Sequence, residues 1–314
     1  MKSTKHRDGM TQEGDLRRRI SWVSGGCAGL LEIGITYPFE FSKCQLQLQQ
    51  KASAIAAADD TAVRYRGFVH CLSHTVRAYG VSGLYRGCDS WFLFAFPRSA
   101  VRFSVFEQLS HYWVSYGQER SMLVDMAIGT IAGAAEGALC QTPNQSIQIK
   151  MVHDMSSGRA RQYLGFGHAV RSIYRTHGLR NGFFCGVYAN TLKVAVNTSI
   201  RFTLYNYFIA HGFAHGTVSS EPSVAQSLMA GGLAGGVSAV VSQPIDTVKA
   251  NMMGLESLRY KSAFHCARRL VEHGGVACLY HGLQPRVIRV VLEVALQFAF
   301  YEQISKLIAK TIRE

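Results

Sequence analysis

Three times along this 314-residue chain an apolar, glycine-spaced run ends at a proline, and a glycine closes the polar stretch that follows. The runs are GGCAGLLEIGITYP, IGTIAGAAEGALCQTP and GGLAGGVSAVVSQP, ending at Pro38, Pro143 and Pro244. The glycines are Gly87 in YRG, Gly186 in FCG and Gly282 in YHG. The prolines recur at intervals of 105 and 101 residues and the glycines at 99 and 96. Two landmarks in register three times over define an internal repeat, and such a repeat fixes the architecture before any single element is read. The expected units are 20–115, 120–212 and 223–310, after a polar tail over 1–19, and together they form one integral bundle.

Each unit carries one apolar segment through its proline and another after its glycine. The six predicted spans are 22–49, 88–113, 122–152, 187–212, 224–253 and 283–308. Each exceeds the roughly 20 residues that cross a bilayer as a helix. Proline is tolerated in such helices where neighbours satisfy the carbonyls it frees. The spacings Gly25–Gly29, Gly129–Gly133–Gly137 and Gly231–Gly235 predict close helix packing in lipid. Between proline and glycine lie shorter segments, Arg66–Tyr79, Leu164–His177 and Lys261–His273, with apolar residues at helical spacing. These read as surface helices along one membrane face. An even number of spans puts both termini on one side.

The balance of charge narrows the partners. Lys+Arg number 33 against 20 Asp+Glu, a formal net charge of +13, in a chain that is 48% hydrophobic with mean hydropathy +0.05. Such a chain suits an anionic substrate or an anionic lipid surface. Nucleic acid fits badly: no zinc-ligand spacing or RNA-recognition signature is present, and the basic helices carry an apolar face. The eight cysteines stand singly and read as small buried hydrophobes. Residues 1–19 do not form a secretory signal. His70, His74, His153 and His265 lack partners at metal-ligand spacing, and no nucleophile elbow or phosphate loop appears. No metal, cofactor or enzymatic activity is expected.

PFEFSK at 38–43 and PIDTVK at 244–249 resemble the Pro-x-[Asp/Glu]-x-x-[Lys/Arg] signature of mitochondrial carriers, and the resemblance runs from about Trp22 to Ile308. It implies an all-α membrane protein of six transmembrane helices in three pseudo-symmetric repeats with short surface helices. It also implies a monomer in the mitochondrial inner membrane, multi-pass, with both termini on the intermembrane-space side, touching the bilayer and an anionic lipid such as cardiolipin. In that family Glu40, Lys43, Asp246 and Lys249 would join a salt-bridge ring closing the matrix side. Pro38, Pro143 and Pro244 would kink the helices, and Gln47 would brace the ring from beneath. The second repeat departs. It reads PNQSIQ at 143–148, so Gln145 and Gln148 stand where charges are expected. The remaining charges would face amides, and a weaker gate follows. The opposite gate is poor too, since FEQLS, YNYFI and YEQIS lack the expected pattern of charges. Segments such as PRSAVRFSVFEQLS, NTSIRF, GLESLRY and PRVIRVVLEVALQF are similar to those of citrate carriers.

The site follows from counting along each helix from its glycine. Seven residues on are Phe94, Lys193 and Arg289; eleven on, Arg98, Asn197 and Glu293; fifteen on, Arg102, Arg201 and Gln297. Steps of four keep one helical face. With Arg286 the layers hold six cations and one anion. Charges at mid-bilayer cost about 2.5–3.5 kcal/mol each on insertion scales, so such a stack requires a use. Snorkelling suits Arg102 and Arg201. Pairing with Glu32 or Glu136 absorbs two charges and leaves an excess of three to four. That excess suits a carboxylate bound by arginine forks.

By resemblance Arg98, Arg102, Lys193, Arg201, Arg286 and Arg289 contact substrate, Asn197 hydrogen-bonds it, and Glu293 orients Arg289 or accepts a proton. The implied activity is antiport of citrate for malate or another carboxylate by alternating access. Two alternatives stay open: an exchanger of a keto acid, dicarboxylate or phosphate, and a non-transporting carrier relative acting as a membrane scaffold.

Overall fold

A computed structural model describes residues 31–49, 65–117, 121–156, 161–212, 224–255, 260, 262–296 and 299. Among these there are helices and turns and no strand. The first helix, α1, covers 31–48, followed by α2 (Phe68–Tyr79) and α3 (Cys88–Ser115). The second unit contains α4 (Met122–Glu136), a π-turn (Gly137–Gln141), α5 (Thr142–Ser156), α6 (Phe166–Phe183) and α7 (Val187–Tyr207). The third contains α8 (Val224–Met253), α9 (Ala263–Gly274) and α10, over 283–296. Five predicted spans begin at the observed helix starts, at 88, 122, 187, 224 and 283. The parts of the predicted spans over 22–30 and past 300, the tail 1–19, Lys261 and the Gly25–Gly29 pair lie outside the described residues. One stretch among the described residues, Leu123–Ser156, is by itself long and apolar enough to cross a membrane.

The repeat is written into the backbone. Gly87, Gly186 and Gly282 hold φ of 84°, 78° and 78°, left-handed geometry that admits glycine where a side chain would be strained. Each turns the chain from a surface segment into an inner helix. Gly282 also packs so close that an added Cβ would lie 3.1 Å from both Gln47 Cγ and the Lys43 carbonyl. Sequence periodicity carried the surface helices but not the short 3₁₀ turns after them, Val81–Tyr85 and Val276–Tyr280. In the second unit the same break falls inside α6, at Gly178 (φ 70°).

The prolines sit inside or beside the inner helices, and neighbouring groups take up the bonds they remove. Pro38 has no N–H, so the Gly34 carbonyl one turn earlier is free, and Tyr85 Oη donates to it at 3.1 Å. Before Pro143 the helix widens into the π-turn. There the Gly137 carbonyl accepts from Thr142 Oγ1 at 2.7 Å and from Asn190 Nδ2 at 2.9 Å. The residue before two of the prolines also reaches the turn before its glycine. Tyr37 Oη donates to the Arg86 carbonyl (2.8 Å) and Gln243 Nε2 to the His281 carbonyl (2.9 Å).

The surface helices pack by a matched pair of positions four residues apart: Cys71 and Thr75 in α2, Ala169 and Ile173 in α6, Cys266 and Leu270 in α9. Each pair is buried at the proline end of the bundle, where the three apolar clusters of the core also lie. Glycine packing is partly as expected. A Cβ on Gly133 or Gly137 would meet Val194 of α7 at 3.4 or 3.3 Å, and one on Gly235 would meet Val290 of α10 at 2.9 Å. Gly129 and Gly231 face open space within 4 Å, so close approach is confined to the middle of the helices. The seven described cysteines are free and six are buried.

Candidate functional site

At the proline end the inner helices close on a buried cluster of charges. Asp246 is fully buried in α8, with Lys43 of α1 at 2.5 Å, Lys249 at 2.9 Å and Lys193 of α7 at 2.9 Å. Gln47 Nε2 donates to Asp246 at 3.4 Å. Lys249 Nζ donates to Gln145 Oε1 at 2.8 Å. An amide thus accepts where a carboxylate is expected, and the pairing is a hydrogen bond.

Gln148 departs from expectation. Following the same order around the axis, the α1 cation meets the α8 acid and the α8 cation meets the α5 amide. The third contact joins residue 148 to Glu40. Instead the buried Gln148 amide makes no bond to Glu40 and lies at the Tyr37 hydroxyl. Glu40 turns to Lys43 of its own helix (3.6 Å) and to Arg289 of α10 (2.6 Å). An amide NH₂ is a neutral donor, and a guanidinium offers a charged fork, so the carboxylate takes the stronger partner.

Above the gate stand the counted layers. Arg286 is buried, donating to Gln243 Oε1 (2.9 Å) and Ser242 Oγ (2.7 Å), with Asp246 at 3.7 Å. Asn197 Oδ1 lies 3.5 Å from Ser242 Oγ, whose proton goes to the Ser238 carbonyl at 2.6 Å. Arg98 and Arg102 share one buried carboxylate, Glu136 of α4, at 2.9 and 2.6 Å. Arg201 has no ion-pair partner among the described residues and runs beside Gly235. Gln297 lies outside the described residues.

The stack therefore brings together α3, α7 and α10, as the count implied. Its cations, however, are more fully partnered than two absorbed charges would leave them. Five of the six hold a carboxylate, and two of those carboxylates, Glu40 and Asp246, belong to the gate. Taking gate and stack together, eight cations (Lys43, Lys249 and the six of the stack) face Glu32, Glu40, Glu136, Asp246 and Glu293. Three positive charges remain in excess.

Exposure of these side chains rises away from the gate: 8% for Arg286, 14% for Lys193, 18% for Arg289, 22% for Arg98 and 57% for Arg102. The polar axis is shut at the proline end and opens towards the other. There Glu107 is exposed, and FEQLS and YNYFI form no ion pair among the described residues; YEQIS lies outside them.

Residues that the count passed over complete the floor. Trp91 is buried with the Arg98 and Arg289 guanidiniums each 5.3 Å from its ring centre. The signal was present: Trp91, Asn190 and Arg286 each follow their repeat's glycine by four. Glu136 holds two arginines rather than one, and Ser242 and Gln243 fix Arg286.

Three helical units around a charged axis, closed at one end and open at the other, make a membrane transporter built on a threefold pseudo-repeat. The chain belongs to the mitochondrial carrier protein family, whose model matches residues 18–117, 118–214 and 220–311. It is an all-α carrier of six spans in three repeats. It is 37% identical to tricarboxylate transport protein B, mitochondrial, of Danio rerio over 92% of this chain and 87% of that protein. It is 36% identical to the tricarboxylate transport protein, mitochondrial, of Mus musculus and 34% identical to that of Homo sapiens, each over 92% of this chain and 89% of the relative.

Proposed function

We propose that this chain is an antiporter of the mitochondrial inner membrane that exchanges a tricarboxylate such as citrate for malate or another carboxylate by alternating access. The observation that carries the reading is the excess of three cations along the axis above a closed gate. The five arginines of that stack, Arg98, Arg102, Arg201, Arg286 and Arg289, and Lys193 present forks and a point charge matched to carboxylates. The names of the relatives support the same substrate class. The gate end faces the matrix, and both termini face the intermembrane space.

Exchange follows from the energetics of the empty site. Its cations rest on Glu136, Glu40 and Asp246, yet three charges stay uncompensated. Swinging the open end shut over that excess is unfavourable, and a bound anion offsets the cost, so closure is favoured only when the site is loaded. The deciding experiment is homoexchange of labelled citrate by purified protein in liposomes, with malate, oxoglutarate and phosphate as competitors. Citrate uptake blocked by tricarboxylates and malate supports the reading, and preferential block by a keto acid or phosphate replaces it with another anion exchanger. The amide-bearing second repeat favours one further reading, a scaffold that does not transport. Absence of exchange with every anion of the panel, in correctly folded protein, would select it.

A further inference from the structure

We infer that Glu40 competes with substrate for Arg289, and that Gln148 is the residue that makes it do so. The inference rests on the carboxylate-exchange reading above and assigns specific residues to its coupling step. The gate contacts follow one cyclic order, from Lys43 to Asp246 and from Lys249 to Gln145. The order leaves Glu40 to residue 148. A lysine or arginine there would hold Glu40 inside the gate. Gln148 does not: its buried amide lies at the Tyr37 hydroxyl, and Glu40 reaches up to Arg289 at 2.6 Å instead. One carboxylate therefore belongs to two layers at once.

A substrate carboxylate arriving at Arg289 replaces Glu40 on the guanidinium. Glu40 is left with Lys43 alone, at 3.6 Å, while Lys43 is already held by Asp246 at 2.5 Å. Loading of the site thus removes a bond that ties α1 to α10 and loosens the closed end. Lys193, shared with Asp246 at 2.9 Å, places a second site cation on a gate carboxylate. The affinity of the empty site is lowered by what the internal carboxylate must give up, as in any population-shift penalty.

The test compares wild type, Q148K, E40Q and the double variant in reconstituted citrate homoexchange. Q148K captures Glu40 in the gate and frees Arg289. The expected result is a KM about tenfold lower, the size of one charge-assisted bond, with a lower Vmax because the gate gains an ion pair. E40Q also frees Arg289 and lowers KM, but it weakens the gate, so efflux without counter-substrate appears. In the double variant the two KM effects do not add, since no carboxylate remains to be captured.

A KM unchanged in both single variants, with citrate still exchanged by wild type, overturns the competition and leaves the tricarboxylate reading standing. Wild type that exchanges a different carboxylate overturns that reading, and the same KM comparison is then made on the anion it does exchange. If Q148K fails to fold, the KM of E40Q decides alone.

Discussion

Two parts of the gate use different chemistry for the same geometry. Repeats 1 and 3 close on Glu40, Lys43, Asp246 and Lys249, whereas repeat 2 supplies Gln145 and Gln148 at the matching places. Where the amide is an acceptor, the contact survives: Lys249 still finds Gln145 at 2.8 Å. Where the amide is a donor, the contact is lost, and Glu40 goes to Arg289. The asymmetry has a physical cause. A buried lysine donates to any well-placed oxygen, while a buried carboxylate offered a neutral donor or a guanidinium takes the charged one. Replacing charges by amides therefore does not weaken the closed end evenly. It opens one link and lends its carboxylate to the site above.

Stability in detergent separates the charged side of the closed end from the amide side. Asp246→Asn strikes the charged side, leaving Lys43, Lys193 and Lys249 around a neutral amide. The expected loss is about 3–5 kcal/mol, the cost of breaking a buried ion cluster from one side, read as a large fall in melting temperature. Gln145→Leu strikes the amide side, and Lys249 keeps Asp246, so the expected loss is about 1–3 kcal/mol. Equal losses for the two would mean that charge adds nothing to this gate. Gly87→Ala and Gly186→Ala each force a side chain into left-handed backbone, at about 1–2 kcal/mol. These two losses should match within error, because the backbone repeat is symmetric where the gate is not. The smallest effect is expected for Gly137→Ala, whose Cβ would press on Val194 at 3.3 Å. Thermal unfolding should show a loss of about 1 kcal/mol.

Most of the scaffold was legible because its signals are local. Proline and glycine punctuation placed the starts of α3, α4, α7, α8 and α10 and the three surface helices. The π-turn at Gly137–Gln141 was not legible, since it depends on Asn190 of another helix capping a freed carbonyl. For the site, counting from the glycines placed Lys193, Arg286, Arg289, Arg98 and Arg102 along one axis. The counting could not say which carboxylate each would hold. Glu136 taking two arginines and Glu40 leaving its own gate are decided by reach between helices, and helical periodicity carries no information about that. Trp91 was missed for a different reason: an aromatic residue in an apolar helix looks like core until two guanidiniums are found against its ring.

In the proposed exchange the cations of the inner helices hold the transported carboxylate. The most direct test is the initial rate of labelled citrate homoexchange for Arg201→Ala and Arg289→Ala against wild type, with folding of each checked by its melting curve. Both folded variants should lose exchange by about a hundredfold or more, as expected when a charged group that binds substrate is removed. Exchange at the wild-type rate in both would contradict it.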